Sequence, residues 1–159
     1  MHECGHLAAL ALFRVPVLGL RLGAMGAVIH APGAKRLSYG RELAVTLAGP
    51  AVNLLAAPLF AALGGEWWYL FAGAHVVLGS YNLLPIPPLD GARALWLLTA
   101  WRFCPDTADA VSAAVGLLCA VTLTALGAYF TLRCGAGLFL VGALGLLFGA
   151  LRPLFRRFF

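Results

Sequence analysis

Four long apolar runs limit what this chain can become: residues 42–63, 67–84, 108–131 and 136–151. Their only charges are Glu42 and Asp109, both near an end of a run. In lipid, no water satisfies exposed peptide groups, so such runs have to bond internally as helices. Charged residues make up 11% of the chain, well below the roughly one quarter of a water-soluble domain. The expectation is an all-α polytopic membrane protein, a single membrane domain over residues 1–159, with residues 92–159 adding further membrane helices to a core in residues 1–91. The net charge of +5 does not indicate nucleic acid, because the basic residues sit in short loops where they set topology and meet anionic lipid. Cys4, Cys104, Cys119 and Cys134 form no CxxC pair and no readable disulfide framework.

The chain opens with His2-Glu3-Cys4-Gly5-His6, an HExxH pattern continuous with an apolar stretch. On a helix, residues four apart project from one face, so His2 and His6 can reach a common metal ion. Glu3 falls on the same flank, where a general base beside a metal-activated water belongs. Residues 1–13 would span only about 20 Å as a helix, too short to cross a bilayer. They read as the second half of a membrane helix, and the expectation is that the chain is a truncation with its first helix upstream.

Residues 15–40 contain Gly19, Gly23, Gly26 and Gly33 together with Pro16 and Pro32, which disfavours helix and suits a short β hairpin or sheet at the membrane interface. His30 in this stretch reads as an interfacial histidine. The run 42–63 carries Gly49-Pro50 and, one helical turn on, Asn53. An asparagine in the bilayer should face protein, either as an interhelical hydrogen bond or as a group that orients a site. The run 67–84 enters at Trp67, Trp68 and Tyr69 and carries His75 and Asn82 on one face. His75 reads as a packed, hydrogen-bonded histidine rather than a metal ligand. Pro85, Pro87 and Pro88 then break the helix before Leu89-Asp90-Gly91, and a short helix over 92–102 follows. Gly145 and Gly149 have GxxxG spacing suited to close packing on a neighbour. With 67–84 crossing once, ten of the eleven Lys and Arg residues share one side and only Arg133 lies opposite. That asymmetry predicts a cytoplasmic location for the end of the motif helix, the Gly-rich segment and the basic tail.

A catalytic zinc usually takes three protein ligands and leaves a fourth position open. Of the six acidic residues, Glu42, Glu66, Asp106 and Asp109 lie at helix ends or in loops, leaving Glu3 and Asp90 within the membrane pattern. A carboxylate there needs a cation. Asp90 is the natural third ligand, against the alternative that it pairs with Arg93 or caps the short helix.

Taken together, HECGH, Gly49-Pro50 with Asn53, and Asn82-Leu83-Leu84-Pro85 running into Leu89-Asp90-Gly91 resemble the signatures of the site-2 protease family. The likeness is nearest to the compact bacterial branch that includes sporulation-type proteases processing a sigma-factor precursor. It covers residues 1–91 and departs from the family's frequent Asp-Gly-Gly in having Asp90-Gly91-Ala92. The resemblance implies an intramembrane zinc metalloprotease. One zinc ion would be held by His2, His6 and Asp90, with Glu3 as base and Asn53 and Asn82 lining the site beside Gly49, Pro50 and Pro85. It also implies a membrane-embedded β segment after the motif helix that pairs with an extended substrate. The expected partners are the lipid bilayer and a membrane-associated substrate, with room for a regulatory membrane partner or a homo-oligomer and none for nucleic acid. The expected location is the inner (plasma) membrane, multi-pass, with the active site toward the cytoplasm. Two rival readings stay open: a non-catalytic zinc-binding membrane protein of the same fold, and a metal transporter using His2, His6, His75 and Asp90.

Overall fold

The computed structural model describes residues 1–23, 26–135 and 137–158, with side chains for all of these except 21–23, 26–28, 35 and 152–158. Arg21, Lys35, Arg152, Arg156 and Arg157, which enter the topology argument, therefore lie outside the described side chains, as does Ala136, where the last apolar run begins. Among the described residues, six helices and one hairpin follow in order: α1 (His2–Leu12), β1 (Gly19–Gly23), β2 (Gly26–His30), a 3-10 turn (Pro32–Arg36), α2 (Tyr39–Ala62), α3 (Glu66–Asn82), α4 (Asp90–Arg102), α5 (Pro105–Cys134) and α6 (Gly137–Phe158). This is an all-α membrane protein with a small β segment. Among the described residues, α2 and α5 are long and apolar enough to cross a membrane. The run 67–84 becomes the 17-residue α3, and the apolar part of α6 covers Gly137–Leu151, both shorter than a full crossing normally needs. Internal contacts divide the chain into two compact units, Met1–Leu83 and Leu84–Phe159.

In the first unit, α1 ends where Phe13 caps it and Arg14 turns left-handed, with φ 56°. The Arg14 amide donates to the Ala11 carbonyl at 3.0 Å and the Val15 amide to the Leu10 carbonyl at 2.9 Å. These are the paired bonds of a Schellman ending, and the apolar contact that usually accompanies it is present, since Leu10 and Val15 share a buried cluster with Val45. Ile29, Ala31 and Leu37 pack on that cluster, so the chain leaving α1 is folded back against α2 together with the hairpin. The hairpin is antiparallel, pairing Gly19 with His30 and Gly23 with Gly26. It forms where the glycine-rich stretch was expected to be β, and His30 is exposed at its end. α1 lies very close to α2: a Cβ on Gly5 would strike the Ala48 carbonyl. Small residues at a crossing let two backbones approach in this way.

The second unit is built on the proline-broken segment. Ile86 is fully buried and centres a cluster with Ala120 of α5 and Leu146 and Ala150 of α6. The backbone around it is seated on glycine: a Cβ on Gly116 would come within 2.8 Å of the Pro85 carbonyl oxygen, and one on Gly149 within 2.6 Å of that of Pro87. Gly149 thus packs on its own chain, whereas Gly145 has open space. The Pro87–Pro88 bond is cis. Trp96 on α4 donates its indole N–H to Asp109 on α5 at 2.7 Å, and the Arg93 guanidinium lies over the Trp96 ring at 4.5 Å.

Candidate metal centre

The site is assembled from the first turn of α1 and the middle of α2. His2 and His6 stand one turn apart, and their Nε2 atoms lie 3.2 Å from each other with the rings edge to face. Two nitrogens bound to one tetrahedral zinc at ~2.0–2.1 Å each lie roughly 3.3–3.4 Å apart. The imidazole pair therefore matches the bite of a zinc site, and the donor chemistry fits the ion. Glu3 is half-buried in the same first turn, where the positive end of the helix favours a carboxylate. Cys4 is exposed and off this face.

α2 supports both rings. His6 Nδ1 donates to the Val45 carbonyl at 2.8 Å. With its proton held there, the neutral ring presents the Nε2 lone pair, the form a ligand needs. Gly49 makes this contact possible. A Cβ on Gly49 would collide with Nε2 of His6, so only glycine leaves room for the ring. Pro50, buried inside α2, has no N–H to give the Thr46 carbonyl. Asn53 is fully buried, and its Nδ2 donates to His2 Nδ1 at 3.2 Å. Asn53 therefore makes an interhelical hydrogen bond, and its partner on α1 is His2.

His75 joins the same group. Its Nδ1 donates to Asn53 Oδ1 at 3.2 Å, and its ring stacks on Phe60 with centroids 5.1 Å apart. It is a packed, hydrogen-bonded histidine, as expected, but its partner ties it to His2, a link the sequence reading missed. The available signal was the presence of two polar residues, Asn53 and His75, on successive apolar helices. Asn82, read as lining the site, donates its amide to the Leu78 carbonyl of its own helix at 2.9 Å.

Asp90 and Pro85 belong to the second unit. Asp90 is the first residue of α4, and Leu89 holds the N-cap position, so the carboxylate is not the cap. Asp90 is half-buried and follows directly on the proline segment anchored by Ile86.

A close histidine pair at the start of an apolar helix, braced by polar side chains from the next two, defines a membrane protein with a candidate metal centre. Its architecture has a solved counterpart in the site-2 protease from Methanocaldococcus jannaschii. That structure aligns with a TM-score of 0.68 at 22% identity, over 96% of this chain and 71% of the other. The chain thus has the site-2 protease fold. A protein of Mesorhizobium japonicum with the name "Putative zinc metalloprotease mll0638" is 44% identical over 63 residues, which are 39% of this chain and 17% of that protein. The match therefore spans about a sixth of the length of that curated relative. No family model matches the chain.

Proposed function

We propose that this chain is an intramembrane zinc metalloendopeptidase of the site-2 type, hydrolysing a peptide bond in or near a transmembrane segment of a membrane-associated substrate. The observation that carries the reading is the His2–His6 pair, with Nε2 atoms 3.2 Å apart and Glu3 in the same turn. The site-2 fold and the similarity to a named zinc metalloprotease support it.

His2, His6 and Asp90 would hold one zinc ion per chain. Asp90 is assigned because zinc sites of this kind take three ligands, and a carboxylate just past a helix break in an apolar chain needs a cation. Bound there, zinc supplies Lewis acidity and brings the pKa of a water to about 7. Glu3 would act as the general base, taking a proton from the attacking water and returning one to the leaving amine, a role worth roughly 10²–10⁴ in rate. The Gly49 gap and the Val45 carbonyl keep the His6 ring oriented. A substrate helix conceals its backbone, so the scissile segment has to unwind, and an extended strand can then pair with the hairpin β1–β2. The Lys and Arg asymmetry favours a multi-pass inner-membrane protein working at the cytoplasmic side.

The test is Glu3→Gln in cells co-expressing a tagged membrane substrate. The variant should keep its zinc and lose cleavage. Cleavage at the wild-type rate would remove Glu3 from the mechanism. Bound zinc in a wild-type chain that cuts no substrate would instead favour a non-catalytic zinc protein of this fold.

A further inference from the structure

We propose that His75 is a positioning residue for His2. Acting through the Asn53 amide, it sets which ring nitrogen of His2 carries the proton, and so whether His2 turns a lone pair toward a divalent cation. This rests on the metal reading of His2 and His6.

Asn53 is wholly buried and touches an imidazole at each end: His2 Nδ1 and His75 Nδ1, both at 3.2 Å. A primary amide only donates from its nitrogen and only accepts at its oxygen. The two contacts are therefore locked to each other. With Nδ2 toward His2, that ring accepts at Nδ1 and carries its proton on Nε2, from which it donates to His6 Nε2 at 3.2 Å. His75 then donates from Nδ1 to Oδ1. A half-turn of the same planar amide puts Oδ1 against His2, which must now carry its proton on Nδ1 and so presents the Nε2 lone pair. Nδ2 faces His75 instead, and His75 has to accept at Nδ1 with its proton on Nε2. The number of ring protons is the same in both arrangements, and only their positions differ.

The amide oxygen and nitrogen occupy nearly the same space, so the half-turn needs little rearrangement around a residue this buried. In the proposed relay, the position of the proton on His75 biases which of the two arrangements forms. That ring is held in plane by Phe60, which itself stacks on Trp68 with centroids 5.8 Å apart. α3 therefore reaches the metal ligand of α1 across α2 without supplying a ligand itself. Ligand histidines generally have their second nitrogen fixed by such a partner, and losing it typically weakens metal binding 10–100-fold.

The test uses the full chain in detergent. Zinc affinity is measured by chelator competition, and the cobalt(II) absorption spectrum is recorded, for wild type, His75→Phe and His75→Gln. Phenylalanine keeps the stack on Phe60 and removes the polar link; glutamine restores a polar end that can donate or accept. His75→Phe should bind zinc about 10–100-fold more weakly with an altered cobalt spectrum, and His75→Gln should recover most of the loss. Wild-type affinity and spectrum in His75→Phe would overturn the relay while leaving the metal site standing. Equal losses in both variants with a lowered melting temperature would reduce His75 to a packing role, which also overturns it. A wild-type chain that takes up no zinc overturns the metal reading and the relay together. Independently of any variant, ¹⁵N-histidine spectra of the wild type should show His2 and His75 exchanging tautomers in opposite senses when zinc is added. A His75 tautomer that does not change would contradict the proposal.

Discussion

At the scale of single residues, the candidate site depends on space and on proton direction as much as on its two histidines. Gly49 is the clearest case. Alanine there puts a methyl group where the His6 ring lies, and forcing it in costs about 1–3 kcal/mol of overpacking. Gly49→Ala should therefore lower the melting temperature and reduce bound zinc, whereas Ala48→Gly, one residue away, should spare the zinc; metal analysis of both variants decides. A second residue-scale effect lies outside the membrane spans. The Cys104 thiol is held below its ordinary pKa, first by the Thr107 side-chain hydroxyl, 3.0 Å from its sulfur, and then by the Thr107 backbone. A lowered pKa means more thiolate at mildly alkaline pH. Thr107→Val should raise that pKa and slow alkylation of Cys104 at pH ~8, as followed by mass spectrometry; an unchanged rate would show that the hydroxyl does not hold the thiolate. The His2–His6 pairing in HECGH and the Gly49–Asn53 face were legible in the sequence because helical periodicity alone puts those residues together. The link from His75 to His2 was not, because it runs through a residue 22 positions away from His75 on a different helix.

At the scale of elements, apolar length and proline placement explain most of what forms. The Gly-rich stretch became the hairpin, and the prolines ended α3 and delayed α4 until Asp90, as their missing N–H groups and fixed φ require. The ending of α1 was legible only in part. Arg14 and Pro16 mark its neighbourhood, but a left-handed arginine is not a signal that propensity gives, and the Leu10–Val15 contact that stabilises it is tertiary. Of the GxxxG pair, Gly149 packs closely, seating the Pro87 carbonyl, whereas Gly145 has open space. Because Ile86 anchors the broken segment that leads to Asp90, Ile86→Ala should cost about 2–5 kcal/mol. Thermal unfolding in detergent would show it as a clear drop in midpoint. A midpoint equal to wild type would mean that this segment is not what holds the second unit together.

At the scale of the whole molecule, composition announced a membrane protein, and the fold agrees with a solved site-2 protease over nearly the full chain. Orientation is a further claim, resting on the basic residues. Cys104, before α5, and Cys134, at its end, are both exposed and should lie on opposite faces. A membrane-impermeant maleimide applied to intact cells should label Cys134, and Cys104 only after permeabilisation. Labelling of Cys104 in intact cells would reverse the topology. The chemistry proposed for this fold requires that the carboxylate after the proline break complete the histidine pair. Zinc content per purified chain, in wild type and Asp90→Ala, tests that most directly. The account predicts close to one zinc in the wild type and a large loss in the variant; the same zinc content in both would contradict it.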